Sequence, residues 1–207
     1  MIIVSTAFAT PTDAKPAMSS SENIFFDLKT LAHLGAHAIV GRTVRIRRPD
    51  LVRIGKYTIV DDFTYISGAF EIGCYGHVAP NVNLIGARGA IRAGDFVGIA
   101  AGCCIYASSS DYLNASLDLP GVPKEDQVGG ITEDVRFADH VILGSHTVVL
   151  PGVVLPEGVA TAAHTVLRKR DYEPWTLYGG WQAKPLARRN HQRLDETIAR
   201  LRRNSKD

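Results

Sequence analysis

Apolar residues recur at a step of six along most of this chain. One run of apolar anchors begins at Ile54 and, after a single longer step, ends at Ile105; a second run begins at Phe137 and ends at Leu167. A helix repeats every 3.6 residues and an ordinary strand every 2, so neither sustains this period. The period predicts an all-β solenoid of the parallel β-helix type. The anchors are Ile54, Val60, Ile66, Ile72, Val78, Leu84, Ala93, Ile99, Ile105, Phe137, Leu143, Val149, Leu155, Thr161 and Leu167.

The N-terminal part, residues 1–39, precedes the regular repeat. It begins with a Thr-, Ser-, Ala- and Pro-rich stretch that predicts a loose arm. Ser20 or Ser21 is then expected to cap a short helix that ends near Gly35. The apolar residues of that helix are Ile24, Phe25, Leu28 and Leu31.

The solenoid is expected to span residues 40–169, with a degenerate first coil at Val40 and Ile46 that acts as its cap. The period disappears over residues 107–134, where prolines and glycines are concentrated. An insertion in a solenoid leaves the coil at a corner and returns to the next coil. We therefore predict a protruding loop here, and loops of this length are usually functional.

Residues 170–207 are expected to form a turn-rich segment and then a helix over residues 186–203. The tail is basic, because residues from Arg168 onward carry eleven Lys or Arg and five Asp or Glu. Such a tail suits a phosphorylated ligand, nucleic acid or a solvated helix face. The apolar residues at helical spacing are Leu194, Ile198 and Leu201.

The cysteines Cys74, Cys103 and Cys104 have no metal-ligand spacing, and their odd number makes a disulfide framework unfavourable. Cys103 falls on an inward position and is predicted to be a small core residue. No apolar run reaches the roughly 18 residues that a membrane span requires. The first apolar stretch has no basic residue before it, unlike a signal peptide. We therefore expect a cytoplasmic protein without a membrane span.

Two segments resemble a known family. VILGSHTVVLPGVVLPEGVATAAHTVLRK, residues 141–169, is similar to the repeat signature of the galactoside and maltose acetyltransferase type of hexapeptide-repeat acyltransferase. WTLYGGWQAKPLARR, residues 175–189, resembles that family's closing motif, with Gln182 where the family has a turn proline. The resemblance covers residues 54–189. It implies a left-handed parallel β-helix that forms homotrimers, with coenzyme A in the groove between neighbouring coils.

The resemblance also implies positions for coenzyme A. Four small corner residues would line the path of the pantetheine arm, and four cations would meet the phosphates. Tight corners require small residues in any case, and basic residues are often simply solvated, so both interpretations stay open. The small residues are Gly144, Ser145, Ala162 and Ala163, and the cations are Arg168, Lys169, Lys184 and Arg188.

The catalytic base is the point at which the sequence departs from the family. The family's histidine at the start of the protruding loop aligns with Ser110. Asp111 is one replacement, as a base or as a group that orients the nucleophile. His77 is a second, since it would project into the groove between subunits. In the third alternative no side-chain base is used, which favours an amine, because an amine sheds its proton before attack and a sugar hydroxyl does not.

The favoured function is therefore an acetyl-CoA-dependent acyltransferase, without a metal, that modifies the amino group of a nucleotide-linked amino sugar for surface polysaccharide. O-acetylation of a sugar or glycan hydroxyl is the first alternative. A scaffold or a zinc enzyme of the carbonic-anhydrase type is another, but zinc needs several converging ligands, and His146 and His164 share one corner column. Nucleic-acid binding is disfavoured, because the tail lacks interleaved aromatic residues.

Overall fold

The computed structural model describes residues 23–113, 117, 119, 121–123, 125–127 and 129–204. The predicted N-terminal arm and its cap at Ser20 or Ser21 lie outside these residues. The chain winds into a left-handed parallel β-helix, which confirms the predicted solenoid. Each coil is a triangle, and its three sides are named A, B and C in chain order.

The strands stack side by side in parallel on each side of the prism. Side A contains His33–Leu34, Val52–Ile54, the second halves of Tyr65–Ile72 and Asn83–Ala93, Val135–Phe137 and Val154–Leu155. Side B contains Ile39–Val40, Ile59–Val60, His77–Val78, Gly98–Ile99, Ile142–Leu143, Ala160–Thr161, Thr176–Gly179 and an antiparallel Lys184–Arg188. Side C contains Arg45–Ile46, the first halves of Tyr65–Ile72 and Asn83–Ala93, Cys104–Tyr106, Val148–Val149 and Val166–Leu167.

The remaining elements lie outside the three sides. They are the 3-10 turns Leu28–Thr30 and Pro49–Leu51, the antiparallel pair Ser108–Ser109 and Ile131–Thr132, and the α-helix Gln192–Asn204.

The core is the column of anchors inside the prism. All the anchors predicted from the period are buried, and Ala93 is the most exposed of them at 6%. The parallel register places each anchor directly on its counterpart in the next coil, as in Val60 on Val78 and Val78 on Ile99. Burial of apolar area at every coil stabilises the solenoid by about 25 cal/mol per Å².

The nine-residue step after Leu84 is a bulge. Asn83–Ala93 pairs with Tyr65–Ile72, but the register shifts opposite the Ser67/Ala69 step, where Ile85 and Ala90 flank the extra residues. A bulge bends its strand outward without disturbing the anchors on either side. The bulge therefore carries Ala87 and Arg88 towards the base of the protruding loop.

An aromatic column, here called the corner ladder, fills the corner between sides A and B. Neighbouring rings stack with centroids 4.8 to 5.9 Å apart. Each ring lies three residues after a side A position, at a corner where φ is positive. The ladder consists of His37, Tyr57, Tyr75, Phe96, His140 and Trp175.

Trp175 joins the ladder to the C-terminal segment. Its ring stacks on His140 at 5.9 Å and on His191 at 4.1 Å. Gly158 occupies the ladder corner between His140 and Trp175, and its missing side chain leaves the space that the indole fills. Trp175 therefore anchors the segment that follows the solenoid.

The predicted N-terminal helix is reduced to the 3-10 turn Leu28–Thr30. Oδ1 of Asn23 accepts hydrogen bonds from the amides of Phe25 and Phe26, and Oδ1 of Asp27 accepts one from the amide of Lys29. Local side-chain bonds of this kind compete with helix formation.

The solenoid also begins earlier and ends later than the predicted 40–169. His33–Leu34 pairs with Val52–Ile54 on side A, and Thr176–Gly179 extends side B beyond Ala160–Thr161. These outer coils depart from the six-residue step, so the period does not report them. Capping coils are atypical in solenoids generally.

The C-terminal helix begins at Gln192, not at residue 186. Residues Lys184–Arg188 instead form an edge strand, which satisfies the free hydrogen-bonding groups of Thr176–Gly179. The helix starts where the side chain of Asn190 accepts a hydrogen bond from the amide of Gln192. In the described part of the chain, no helix combines the length and the apolar character needed to cross a membrane.

The three cysteines are free. Cys103 is fully buried, and burial raises the pKa of its thiol to about 11. It is therefore a neutral core side chain, as predicted.

Candidate active site

A cleft of about 890 Å³ lies where side C meets the base of the protruding loop. Its lining combines apolar and aromatic side chains, serine hydroxyls and charged groups. Its described lining residues are Ile85, Tyr106, Ser108, Ser109, Ser110, Tyr112, Ile131, Glu133, Leu150, Pro151, Arg168 and Lys169.

Three serines border the cleft because the loop leaves the coil as a short antiparallel ribbon. Ser108–Ser109 pairs with Ile131–Thr132, and the amide of Glu133 donates to the carbonyl of Ala107. The ribbon diverts the chain from the corner after Tyr106, so three successive serines line the cleft instead of entering the next coil. Serine hydroxyls are suitable donors for an oxyanion that develops during acyl transfer.

The charges in the cleft are partly paired. Nζ of Lys169 lies 2.8 Å from Oε2 of Glu133, so this lysine is not a free cation. Burial raises the pKa of the Tyr106 phenol, and the neighbouring Cys104 adds to the effect. Tyr106 is therefore a neutral hydroxyl near pH 7 and a potential hydrogen-bond donor.

Ser110 lies in the cleft, as its alignment with the family's histidine suggests. Asp111 adjoins the cleft without belonging to its described lining. Its Oδ1 accepts a hydrogen bond from the amide of Leu113 at 3.0 Å, which shapes the first turn of the loop. The predicted catalytic role of Asp111 stays a prediction.

His77 lies on side B, whereas the cleft lies on side C. Its Nε2 is 2.7 Å from Oδ2 of Asp61, which projects from the preceding coil. The structure therefore does not bring His77 and Asp111 together within one chain. The sequence analysis did not single out Asp61, because the six-residue period does not show which outward side chains meet between neighbouring coils.

The four small residues predicted to line the pantetheine path lie at the corner between sides B and C, on two successive coils. A Cβ on Gly144 would lie 2.6 Å from the carbonyl oxygen of Thr161, so coil stacking alone requires glycine there. Ser145, Ala162 and Ala163 are partly or fully exposed at the same corner. His146 and His164 stack beside them at 5.0 Å, as their shared column predicts.

A second recess, of about 390 Å³, lies at the C-terminal end of side C and is here called the indole recess. The Trp181 side chain is 70% exposed, and the Arg168 guanidinium lies 4.9 Å from its ring centroid. Arg168 also donates to the carbonyl of Trp181 and lines both the cleft and this recess. The other lining residues are Val166, Arg170, Tyr172 and Gln182.

Trp181 is a candidate that sequence reasoning missed. The only signal was an aromatic residue in a glycine turn, within the closing motif where Gln182 replaces proline. The exposed indole has the guanidinium of Arg168 over its ring, while Arg170 lies over Tyr172 and Tyr178 in the same recess. A stacking surface with cations nearby suits a nucleotide.

The two remaining predicted cations lie on the edge strand. Lys184 is exposed there. Arg188 forms an ion pair with Glu173 at 2.8 Å and donates to the carbonyl of Pro174. These contacts attach Arg188 to the C-terminal segment, and its role at a phosphate stays a prediction. Among the described residues, no group of three His, Cys, Asp or Glu side chains is arranged to hold a metal ion.

Comparison with known proteins places this architecture. A scan against protein-family models finds no match. The chain is 34% identical over 149 residues to dTDP-4-amino-4,6-dideoxy-D-glucose acyltransferase from Escherichia coli, covering 70% of this chain and 76% of that enzyme. It is 27% identical over 169 residues to chloramphenicol acetyltransferase from Agrobacterium fabrum, covering 76% of this chain and 75% of that protein.

Solved structures agree with these sequence relatives. AntD, an N-acyltransferase from Bacillus cereus in complex with dTDP and 3-hydroxybutyryl-CoA, superposes with a TM-score of 0.79 at 26% identity, over 88% of this chain and 99% of that one. A variant of AntD in complex with dTDP-4-amino-4,6-dideoxyglucose and coenzyme A gives a TM-score of 0.78 at 26% identity, over 87% and 98% of the two chains.

A left-handed β-helix with a cleft at the base of a protruding loop defines the class of hexapeptide-repeat acyltransferases. Within that class, the chain belongs to the acyltransferase family of the Escherichia coli dTDP-4-amino-4,6-dideoxy-D-glucose enzyme.

Proposed function

We propose that this protein transfers an acyl group from acyl-CoA to the amino group of a dTDP-linked amino sugar of the 4-amino-4,6-dideoxyhexose class. The observation that carries the proposal is the serine-lined cleft at the base of the protruding loop, in a chain related to an acyltransferase of a dTDP-linked amino sugar. The name of the Escherichia coli relative gives dTDP-4-amino-4,6-dideoxy-D-glucose as its substrate. AntD is an N-acyltransferase whose structures contain dTDP, or dTDP-4-amino-4,6-dideoxyglucose together with coenzyme A.

The cleft suits an amine acceptor. In the reaction, the neutral amine attacks the thioester carbon, the carbon–sulfur bond breaks, and the nitrogen proton ends on the departing thiolate. The products are an amide and free coenzyme A. Ser108 and Ser110 line the cleft and are the proposed hydrogen-bond donors to the oxyanion, whereas the hydroxyl of Ser109 donates to the carbonyl of Ser110. A hydroxyl acceptor has a much stronger need for a base during attack.

The indole recess is proposed to hold the nucleotide end of acyl-CoA. Arg168 lies between the recess and the cleft, so a cosubstrate whose adenine meets Trp181 extends along side C towards the serines. Arg168 and Arg170 supply the positive charge for its phosphates. Lys169, paired with Glu133, contributes less to that charge.

A homotrimer completes this site. The exposed positions before the side A anchors are mostly charged: Arg53, Glu71, Arg92 and Arg136. The corresponding positions on side B are Ile39, Ile59, His77, Gly98, Ile142 and Leu177. On side C they are Arg45, Tyr65, Asn83, Cys104, Val148 and Val166, of which only Arg45 is charged. Packing side B of one copy against side C of the next buries these faces and covers the cleft. Side A then faces solvent.

The proposed setting is cytoplasmic, with the product used for surface polysaccharide. Three free cysteines fit a reducing compartment. The product, an N-acylated nucleotide sugar, is an activated donor that a glycosyltransferase would consume.

Thiol release from acetyl-CoA tests the proposal, with dTDP-4-amino-4,6-dideoxyglucose as acceptor and dTDP-glucose as the matched hydroxyl control. 3-Hydroxybutyryl-CoA, the thioester seen with AntD, is the second donor. We expect thiol release with the amino sugar alone. Release with dTDP-glucose and none with the amino sugar would reverse the assignment to O-acylation.

Replacing Trp181 with alanine is expected to raise the KM for acetyl-CoA about 10-fold, because a stacked base contributes about 1–3 kcal/mol. The KM for the amino sugar and kcat should change little. Initial-rate kinetics with each substrate varied in turn provide the measurement.

Phe25→Ala is the matched control for this variant. Phe25 is also an exposed aromatic with an arginine over its ring, Arg45 at 5.6 Å, but it lies at the opposite end of the solenoid. An equal change of the acetyl-CoA KM in both variants would remove Trp181 from the cosubstrate site.

A further inference from the structure

Asp61 and His77 form an exposed carboxylate–imidazole pair on side B. Oδ2 of Asp61 lies 2.7 Å from Nε2 of His77, and the two side chains are 27% and 55% exposed. The coil register fixes the pair, since the amide of Asp61 donates to the carbonyl of Val78 and the amide of His77 donates to that of Val97. The backbone thus holds both side chains in place.

The pair leaves one ring nitrogen available. An ionised carboxylate only accepts hydrogen bonds, so the contacted Nε2 of His77 carries a proton. In the neutral imidazole, Nδ1 is then the nitrogen with a free lone pair. The contact therefore selects the tautomer and the ring orientation in which Nδ1 can accept a proton.

The imidazole of His77 is open on one side. Side B is otherwise a strip of apolar and small residues, with Ile59 on one side of His77 and Gly98 on the other. A Cβ on Gly98 would meet nothing within 4 Å, so the outer face next to His77 is open. In the proposed trimer, this open position beside a polar pair leaves room for a substrate group between subunits.

The pair also lies close to the serine loop in height along the solenoid. His77 belongs to the coil immediately before the one from which the serine loop departs, because Val78 stacks on Ile99 and Ile105 follows in that next coil. Coils are about 4.8 Å apart. When copies pack with parallel axes, His77 of one copy therefore lies within about one coil of the neighbour's serine-lined cleft.

We infer that Asp61 is a positioning residue for acyl transfer. It holds His77 so that Nδ1 accepts the proton of the acceptor amine in the cleft of the neighbouring copy. As the carbon–nitrogen bond forms and the carbon–sulfur bond breaks, the proton moves to Nδ1 and then to the departing thiolate. This inference rests on the proposed function and adds a proton acceptor that the cleft of a single chain lacks.

Kinetics of two variants test the inference. His77→Gln should lower kcat about 100-fold, and Asp61→Asn about 10-fold, while the KM for acetyl-CoA stays unchanged. In the double variant kcat should fall no further than in His77→Gln, since Asp61 acts through His77. Nitrogen NMR of the imidazole should show Nε2 protonated in the wild type and a mixture of tautomers in Asp61→Ala.

The matched controls are His33→Gln, an exposed histidine on side A, and Asp50→Asn, which breaks an exposed ion pair with Arg48. Both should keep wild-type kcat. If the wild type releases no thiol with any amino sugar, the proposed function fails and this inference with it. If the wild type is active and Asp61→Asn retains full kcat, or if the two losses simply multiply, the inference alone is overturned.

Discussion

Ile142→Arg is expected to produce a monomer with acyl-transfer activity reduced about 100-fold or more, because an unpaired charge at a packed interface costs several kcal/mol. Ile142 is 44% exposed at the centre of the side B strip, on the face proposed to pack against side C of the next copy. Losing that contact uncovers the cleft and separates it from side B. Sedimentation velocity together with thiol release provides the measurement.

Val154→Arg is the control for this interface. Val154 is 54% exposed and occupies the corresponding position before an anchor, but on the charged side A. It should remain an active trimer of three 22.4 kDa chains. An active, trimeric Ile142→Arg protein would show that side B is not the subunit contact.

Gly158→Leu is expected to destabilise the C-terminal coils by about 3 kcal/mol or more. Gly158 has φ +69°, and its added Cβ would lie 2.3 Å from the indole of Trp175. The new side chain would displace Trp175 from the corner ladder and disturb Arg189, which donates to the carbonyl of Gly158. The C-terminal segment would then lose two contacts with the solenoid, the stacking of Trp175 and the hydrogen bond from Arg189.

Thermal unfolding followed by tryptophan fluorescence measures this effect, with a fall of about 10 °C expected for the transition that includes Trp175. Gly98→Ala is the control, since its Cβ meets nothing and its φ is not in the left-handed region. A Gly158→Leu protein as stable as Gly98→Ala would mean that the ladder corner tolerates a side chain and that the indole is not held against Gly158.

The six-residue period predicted the interior of the molecule well, for a physical reason. A β-helix buries one side chain per short strand, so the spacing of apolar residues reports the core directly. The anchors from Ile54 to Leu167 are buried as expected, and the paired corner column of His146 and His164 follows from the same spacing. The longer step after Leu84 marked a real bulge.

The ends of the solenoid could not be predicted in the same way. Thr176–Gly179 continues side B although the six-residue period does not lead to it, because Tyr172, the next buried residue of the core, follows Leu167 after a shorter step. Residues 186–188 have helical spacing to Leu194, yet pairing with the open edge of side B determines their structure. Tertiary hydrogen bonding overrides local propensity here.

The candidate site was predicted only in part, since outward positions follow no period. Ser110 and Arg168 both line the cleft, and their roles there stay predictions. Arg188 forms an ion pair with Glu173, and Asp61 and Trp181 emerge only from contacts between distant parts of the chain. Contacts across coils join residues that the sequence separates, so residue types alone do not reveal them.

The linkage in the product tests the central claim most directly. Wild-type protein is incubated with acetyl-CoA and dTDP-4-amino-4,6-dideoxyglucose, and the purified product is examined by mass spectrometry before and after hydroxylamine, which cleaves esters and spares amides. The proposed mechanism predicts one added acetyl group that survives hydroxylamine. An acetyl group that hydroxylamine removes, or an unmodified sugar nucleotide, would contradict it.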